Sequence, residues 1–339
     1  MTLVGTRLRY MDMAKAVAIF LVVYGHCTEG ITIVTSFNMP LFMMISGFFV
    51  ISTLDLSAKD FIKKISKYYI IPFLCFSLLG QIILLFQDPP SGPLGFMVRW
   101  MQFAWLWDIW FLRDLVFFMI LTYISYHIAN KHLLWTIVVC FLIINLIPTD
   151  IGITEADKVF TPVRKSTVFN LPFFLFGLFM RKVPDVIDNL NLYLMIVVSL
   201  VMLYFFKFEE SWYCTPHHTL VDFVIPNRGG QIADWTGYSL METYRYVIGL
   251  VVSITVILFV QRMAKIESLN KINNYIGEYG KYTLGIYLIH PFFNNYCPEE
   301  WKGSTIMMRY ILYPMIIVLI SWLLSYMLTK SKFRWMLGK

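Results

Sequence analysis

The stretch MDMAKAVAIFLVVYGHCTEGI (residues 11–31) is the first of ten apolar runs in the chain. Each run has about the length that an α-helix needs to cross the hydrocarbon core of a bilayer. The chain is 58% hydrophobic and 17% aromatic but only 14% charged, whereas soluble domains carry about 25% charged residues. Its mean hydropathy is +0.65. These values exclude an ordinary soluble domain and predict an all-α, polytopic integral membrane protein.

We predict ten membrane-spanning helices, and an even number places both ends of the chain on the same side. Their predicted ranges are 11–31, 33–53, 68–87, 107–129, 132–148, 166–181, 191–208, 243–262, 279–297 and 305–328. No small-residue cleavage site follows the first run, so we expect it to be retained. The sequence contains no evident internal repeat. We therefore expect a single transmembrane domain over residues 1–339.

Lysine and arginine predict the orientation, because they accumulate in the cytoplasmic loops of membrane proteins. Eighteen of the 28 lie in segments that the ten-helix scheme places inside, and six lie in outer loops. Both termini are therefore predicted to be cytoplasmic. The net charge of +7 is explained by these basic inner loops. We therefore expect no nucleic-acid partner.

The first predicted helix carries ionisable side chains, which are costly inside a bilayer and therefore indicate function by default. Asp12, Lys15, Ile19 and His26 lie on one stripe of this helix, which we expect to face the bundle interior. The 14 positions between Asp12 and His26 correspond to about 21 Å of helix. Asp12 is therefore predicted near the inner surface and His26 in the outer half of the membrane.

Other predicted helices place polar side chains at a similar outer depth. These residues are Asn38, Arg113, Asp114, Asn170, Arg245, His290 and Arg309. Such a convergence favours a water-accessible cavity that is open to the outside, and scattered structural pairs between helices are the alternative.

The inner face carries a basic segment, KDFIKKISKYYIIPF (residues 59–73). Lys59, Lys63 and Lys67 follow one another at i, i+4 spacing, which puts them on one face of a helix, and Lys64 lies beside them. Ordinary positive-inside charge or attraction to anionic lipid is one explanation. The other is a docking site for a phosphorylated cytosolic ligand.

Cysteines and small residues give weaker signals. The pair Ser46–Gly47 predicts close helix packing, because small residues allow two backbones to approach. Cys27 is expected to be a small buried hydrophobic residue rather than a nucleophile. Cys214 and Cys297 lie in predicted outer loops, where an oxidising compartment permits a disulfide, so we expect them to pair. The cysteine spacing does not suggest a metal site.

Six stretches, in this order, resemble the membrane-bound acyltransferase-3 family, especially its sugar O-acetyltransferases of the fucose 4-O-acetylase type. The resemblance covers nearly the whole chain. The stretches are RLRYMDMAKAVAIFLVVYGH (7–26), FNMPLFMMISGFF (37–49), FIKKISKYYIIPF (61–73), DIWFLRDL (108–115), LPFFLFGLFMRK (171–182) and YTLGIYLIHPFF (282–293).

The resemblance implies transfer of an acyl group, usually acetyl, from cytosolic acyl-CoA to a hydroxyl of an envelope glycan or lipid-linked sugar. The expected location is a bacterial inner membrane, with acetyl-CoA as the donor and no metal. His26 corresponds to the family's essential histidine. Histidine suits a general base for a sugar hydroxyl, because free imidazole has a pKa of about 6.5. Direct transfer and an acyl-enzyme relay both remain open.

These considerations give three sets of candidate residues. The catalytic candidates are His26, Asp12, Arg113, Arg245 and His290. The substrate-binding candidates are Asn38, Trp110, Asn170, Tyr287 and Arg309. The donor-binding candidates are Lys15, Lys59, Lys63, Lys64 and Lys67. The alternative functions are a transporter or flippase of a lipid-linked glycan, which would need access from both faces, and a polytopic glycosyltransferase.

Overall fold

The computed structural model describes residues 8–28, 32–86, 92–93, 95–97, 100, 109–146, 154–205, 235–296 and 307–339, and every regular element among them is a helix. This result confirms the predicted all-α class. The α-helices are α1 (Arg9–Cys27), α2 (Thr32–Thr35), α3 (Asn38–Leu54), α4 (Ala58–Ile65), α5 (Ile71–Leu85), α6 (Trp110–Ile128), α7 (Leu133–Leu146), α8 (Thr154–Lys182), α9 (Pro184–Asp188), α10 (Leu192–Tyr204), α11 (Trp235–Ala264), α12 (Asn270–Tyr279), α13 (Thr283–Tyr296) and α14 (Tyr313–Lys330).

Within the described residues, six helical segments are long and apolar enough to cross a membrane. They are Arg9–Cys27, Ile33–Leu54, Ala58–Ile83, Trp110–Ile128, Thr243–Ala264 and Met308–Lys330. Two shorter apolar helices, Leu133–Ile144 and Leu192–Tyr204, overlap the fifth and seventh predicted spans, and α8 and α13 overlap the sixth and ninth. The number of long apolar helices therefore indicates a multi-pass membrane protein. The count of ten spans and the orientation of the termini stay predictions.

The third helical segment begins earlier than the sequence pattern predicted. Instead of starting near residue 68, it starts with α4 and continues through a π-helical turn (Ser66–Ile70) into α5. Ser57 caps α4, because its side-chain oxygen accepts a hydrogen bond from the Asp60 amide at 3.2 Å, and such a cap satisfies an amide that the helix leaves free. The lysine-rich segment is therefore helical throughout.

The chain divides into two compact units. Unit one comprises Met1–Ile45, Val183–Phe206 and Val247–Ser331, and unit two comprises Ser46–Lys182, Lys207–Tyr246 and Lys332–Lys339.

In unit one, α1 packs against α12, α13 and α14. A glycine permits the closest approach, because a Cβ built on Gly280 would lie 2.0 Å from the carbonyl oxygen of Asp12. Arg9 extends this contact by donating a hydrogen bond from Nη2 to the Asn270 carbonyl at 2.8 Å. The start of α1 is thus held against α12 by backbone proximity and by one long side chain.

In unit two, Gly47 has the same role on α3. A Cβ at this position would lie 1.8 Å from the carbonyl oxygen of Phe174 on α8, so the predicted packing role of Ser46–Gly47 is confirmed. The α4 helix is held against α6, where the Phe61 and Tyr123 rings stack with centroids 3.9 Å apart. The Tyr123 hydroxyl also donates to the Leu56 carbonyl at 2.9 Å.

Candidate active site

Two histidines meet in unit one. His26 lies in the last turn of α1, and His290 lies in the middle of α13. Their ring centroids are 5.2 Å apart, and the rings stand nearly perpendicular, at 88°. His26 keeps an accessible surface although many protein atoms surround its ring, whereas His290 is 0% exposed. Of the two imidazoles, that of His26 is therefore the one with a surface that another molecule can contact.

The protonation of His290 is defined by its neighbour. Its Nδ1 lies 3.2 Å from the Ile286 carbonyl oxygen. A carbonyl only accepts hydrogen bonds, so Nδ1 carries the hydrogen and, in the neutral ring, Nε2 carries a lone pair. This Nε2 has no hydrogen-bond partner among the described residues. His290 therefore presents a buried, unsatisfied acceptor in the helix that faces His26.

Two predicted substrate-binding residues lie at the same place. Asn38 begins α3 and is buried, and its Nδ2 lies 3.2 Å from where a Cβ on Gly25 would be. The glycine beside His26 therefore makes room for this amide. The Tyr287 ring lies 5.8 Å from the His290 ring, measured between centroids. The structure thus gathers His26, His290, Asn38 and Tyr287 in unit one.

The other residues of the predicted α1 stripe lie towards the start of the helix, away from the histidine pair. Asp12 and Ile19 are buried as expected, and Lys15 is half-buried. The Lys15 Nζ lies 3.3 Å from the Asp12 Oδ1. Because about 21 Å of helix separates Asp12 from His26, the ion pair and the histidine act at separate places. The catalytic role predicted for Asp12 and the donor role predicted for Lys15 stay predictions.

A second polar group is assembled in unit two around Asp114, which is 1% exposed. Arg113 donates to the Asp114 Oδ1 from both Nε, at 2.9 Å, and Nη2, at 2.7 Å. Ser166 donates to Oδ2 at 2.8 Å, and Thr167 to Oδ1 at 3.4 Å. This buried carboxylate is therefore well satisfied, as a charge inside a membrane protein must be.

Asn170 and Arg245 lie beside this group. Asn170 is one turn beyond Ser166 on α8 and donates from Nδ2 to the Ser166 carbonyl at 2.8 Å. Its Oδ1 is buried and has no hydrogen-bond partner in the described part of the chain. The Arg245 guanidinium lies 3.9 Å from the centre of the Phe169 ring, a cation–π contact, and Arg245 is 7% exposed.

A model of the acyltransferase-3 family, described as an acyltransferase domain, matches residues 8–329, which is nearly the whole chain. The chain belongs to the acyltransferase-3 family. Membership confirms the resemblance drawn from the six stretches and implies membrane acyltransferase activity. The search of curated proteins and the search of solved structures each found no match.

For the other residues predicted to act in this acyltransferase, no contact described above joins them to the histidine pair or to the Asp114 group. Trp110 is half-buried at the first residue of α6, and Arg309 is half-buried in a π-helical turn, Met308–Leu312. Their substrate-binding roles stay predictions. Cys214 and Cys297, expected to form a disulfide, lie outside the described residues.

Sequence reasoning missed the partners of Asp114. Ser166 and Thr167 precede the apolar part of α8, where hydroxyl residues are common and carry no functional signal by themselves. The i, i+4 spacing of Ser166 and Asn170 was a usable sign, because it places both on one helix face. Phe169 was not recognisable as the platform for Arg245, since an apolar helix contains many phenylalanines.

Four of the five lysines predicted to bind the donor lie on and just after α4. Phe61 and Ile65 form the buried side of this helix. Lys59, Lys63 and Lys67 are exposed, and Lys64 is half-buried. The shared face that their spacing predicted is therefore not covered by other described parts of this acyltransferase.

Proposed function

We propose that this acyltransferase moves an acetyl group from cytosolic acetyl-CoA to a hydroxyl of a cell-envelope glycan or lipid-linked sugar in a bacterial inner membrane. The observation that carries the proposal is the histidine pair, in which an exposed His26 lies against a fully buried His290. An accessible imidazole near the end of a membrane helix meets the need for a base that a substrate can contact.

His26 is the general base. A sugar hydroxyl attacks the thioester carbonyl poorly until its proton is removed, so an imidazole nitrogen of His26 takes this proton as the new C–O bond forms. The C–S bond then breaks, and the thiolate of CoA leaves and takes the proton back from the imidazolium. An acyl-histidine intermediate is the alternative path, in which His26 itself first receives the acetyl group.

His290 is a positioning residue. Its Nδ1 is held by the Ile286 carbonyl, so the Nε2 lone pair is available to accept a hydrogen bond from an N–H of His26. Such a bond would be stronger once His26 is the imidazolium, because hydrogen bonds to ionised groups are stronger than neutral ones. The pair therefore favours proton uptake by His26 at the moment of attack.

Two further proposals concern the substrates. In unit two, the unsatisfied Oδ1 of Asn170 and the guanidinium of Arg245 offer an acceptor and a cation, a combination that suits hydroxyl-rich sugars. On α4, the exposed face of Lys59, Lys63 and Lys67 offers three cations to the phosphates of the donor.

The test is transfer of radiolabelled acetyl from acetyl-CoA to glycan in inverted membrane vesicles. Wild type is expected to label glycan, which a transporter or flippase would not do. His26→Gln keeps a hydrogen-bonding side chain but cannot take up a proton at neutral pH. Loss of general-base catalysis is worth about 10²–10⁴ in rate, so the labelling rate should fall by this factor at an unchanged protein level.

The matched control is His132→Gln, because His132 is exposed just before α7 and belongs to unit two rather than to the unit of the histidine pair. This variant is expected to transfer like wild type. If His26→Gln retained most of the activity at normal expression, His26 would be structural, and the base would have to be sought at His290.

A further inference from the structure

The segment Lys332–Lys339 folds back onto the beginning of the third helical segment. It forms a 3₁₀ helix over Lys332–Leu337 and then turns at Gly338, whose φ is +72°. A Cβ on Gly338 would lie 2.7 Å from the carbonyl oxygen of Lys67 and 2.8 Å from the Cα of Tyr68. Both the left-handed conformation and the backbone contact require glycine here.

Local hydrogen bonds fix neighbouring residues to this contact. The Gly338 amide donates to the Trp335 carbonyl at 3.0 Å, and the Lys339 amide donates to the Arg334 carbonyl at 3.1 Å. Leu337 is buried. The backbones of Arg334, Trp335 and Lys339 are therefore held within one turn of the point where Gly338 contacts the helix.

This arrangement produces an aromatic–basic patch, defined by Lys67, Tyr68, Arg334, Trp335 and Lys339. All five side chains are exposed, with Tyr68 at 40% and Trp335 at 52%. The Lys67 ammonium lies 5.0 Å from the centre of the Tyr68 ring. No aspartate or glutamate occurs in residues 332–339, so every ionisable side chain of this segment is basic.

The patch continues the lysine face of α4. From Lys59 through Lys63 to Lys67 the cations extend over about 12 Å of helix. The apolar side of α4 is already used by the protein, since Phe61 and Ile65 are buried and Phe61 stacks on Tyr123. An interfacial helix that binds lipid needs that apolar side for the bilayer. The cationic row is therefore better suited to a ligand from water.

We propose that the aromatic–basic patch binds the nucleotide end of the acyl-CoA donor. Exposed aromatic rings stack on nucleobases, and the planar guanidinium of Arg334 matches the geometry of a phosphate group. Tyr68 and Trp335 bind the base, while Arg334 and Lys67 bind phosphate. Gly338 is a positioning residue that keeps the two sequence segments together. The inference rests on the proposed function only in taking acyl-CoA as the donor.

The test is direct binding of CoA to the full-length protein in nanodiscs of phosphatidylcholine, measured by calorimetry. Arg334→Gln removes a charge-assisted hydrogen bond, and Trp335→Leu removes a stacking surface. Each change should weaken CoA binding by about tenfold. Arg334→Lys keeps the charge without the fork, so its affinity should fall between those of Arg334→Gln and wild type. Each variant should weaken adenosine 3′,5′-bisphosphate in the same way and leave pantetheine unaffected.

Lys271→Gln is the control, because Lys271 is an exposed lysine on α12 outside the patch, and it should bind CoA like wild type. If folded Arg334→Gln and Trp335→Leu bound CoA with wild-type affinity, the patch proposal would be overturned, but the donor assignment would not. If these variants instead lost a preference for phosphatidylglycerol in mixed nanodiscs, the patch would be a lipid contact, which also overturns the proposal. A wild-type protein that binds no CoA would overturn the donor assignment itself, independently of glycan labelling and the His26 variants.

Discussion

At the scale of single residues, His290 is distinguished by having one nitrogen bound and the other unsatisfied. Nδ1 donates to the Ile286 carbonyl, and Nε2 is a buried acceptor next to the His26 ring. A merely structural histidine would require only the first interaction. The two ring nitrogens therefore have separable roles, and substitutions can distinguish them.

Asparagine and glutamine at position 290 give different predictions. An Asn side chain places its amide near the former Nδ1, and a Gln side chain places a polar group near the former Nε2. We expect His290→Asn to lower kcat by about tenfold or more, as expected when a hydrogen bond to a charged group is lost, with little change in KM. His290→Gln should be milder. Steady-state kinetics in vesicles measure kcat and KM of both variants. If His290→Asn and His290→Gln both had the wild-type kcat, His290 would have only a packing role.

Asp114 combines almost complete burial with several hydrogen bonds to its carboxylate. It accepts hydrogen bonds from Arg113, Ser166 and Thr167 while almost fully buried. Removing one partner of a buried ion pair costs about 3–5 kcal/mol. Asp114→Asn should therefore lower the melting temperature of the detergent-solubilised protein by more than about 5 °C, measured by thermal size-exclusion chromatography.

Asp55→Asn is the matched control for Asp114→Asn. Its ion pair with Lys131 is 3.6 Å long, and both side chains are exposed, so the pair contributes little to stability. The melting temperature should stay near that of wild type. If the two variants melted at the same temperature, the Asp114 group would not be a stabilising network.

At the scale of elements, glycines determine how closely the helices pack. Gly280→Leu should place side-chain atoms on the Asp12 carbonyl, because even a Cβ would lie 2.0 Å from that oxygen. Overpacking of this kind costs about 1–3 kcal/mol or more, so the yield of folded protein and its melting temperature should fall. Gly277→Ala is the control, because its Cβ would meet Met13 only at 3.9 Å. A Gly280→Leu protein as stable as Gly277→Ala would contradict the close contact.

The α4 helix gives a second prediction at this scale. Conversion of Lys59, Lys63 and Lys67 to Gln should raise the apparent KM for acyl-CoA and leave kcat and the protein level unchanged. The difference should shrink at high ionic strength, because salt screens exposed charges. A triple variant of the exposed lysines Lys131, Lys265 and Lys271 controls for net charge. An unchanged KM in the α4 variant would reassign its lysines to lipid contact.

At the scale of the whole molecule, the ten-span scheme predicts which residues face each side of the membrane. Lys131→Cys, Lys339→Cys and Thr219→Cys are each introduced into a variant whose five native cysteines are replaced by serine, and each is labelled with a membrane-impermeant maleimide on intact spheroplasts. Thr219→Cys should be labelled at once. The other two should react only after permeabilisation, since both positions are predicted inside. Labelling of Lys339→Cys without permeabilisation would mean an even number of spans between residues 219 and 339, where the scheme predicts three.

The division into two units also belongs to this scale. The histidine pair and the Asp114 group lie in different units, and the helices α3 and α11 contribute residues to both units. No single segment of sequence therefore contains the whole set of candidate residues. Each unit instead arranges its own group by bringing together helices that are far apart in the chain.

The class of protein and the candidate residues could be predicted from the amino-acid sequence alone. Apolar runs of membrane-spanning length are read from composition, because the bilayer excludes unsatisfied backbone and most charges. For the same reason His26, Asp114 and Arg245 were conspicuous without any structure. The stretches around His26 and His290 also carried the family resemblance, which the family match then confirmed.

Only the tertiary structure decided which of these residues meet. The pairing of His26 with His290, the hydroxyl donors to Asp114 and the return of Gly338 onto Lys67 all join residues that are far apart in the chain. Helical periodicity specifies the direction of a side chain around its own axis but not which neighbouring helix it faces. That choice depends on packing, and here glycines such as Gly280 and Gly47 decide where the backbones approach.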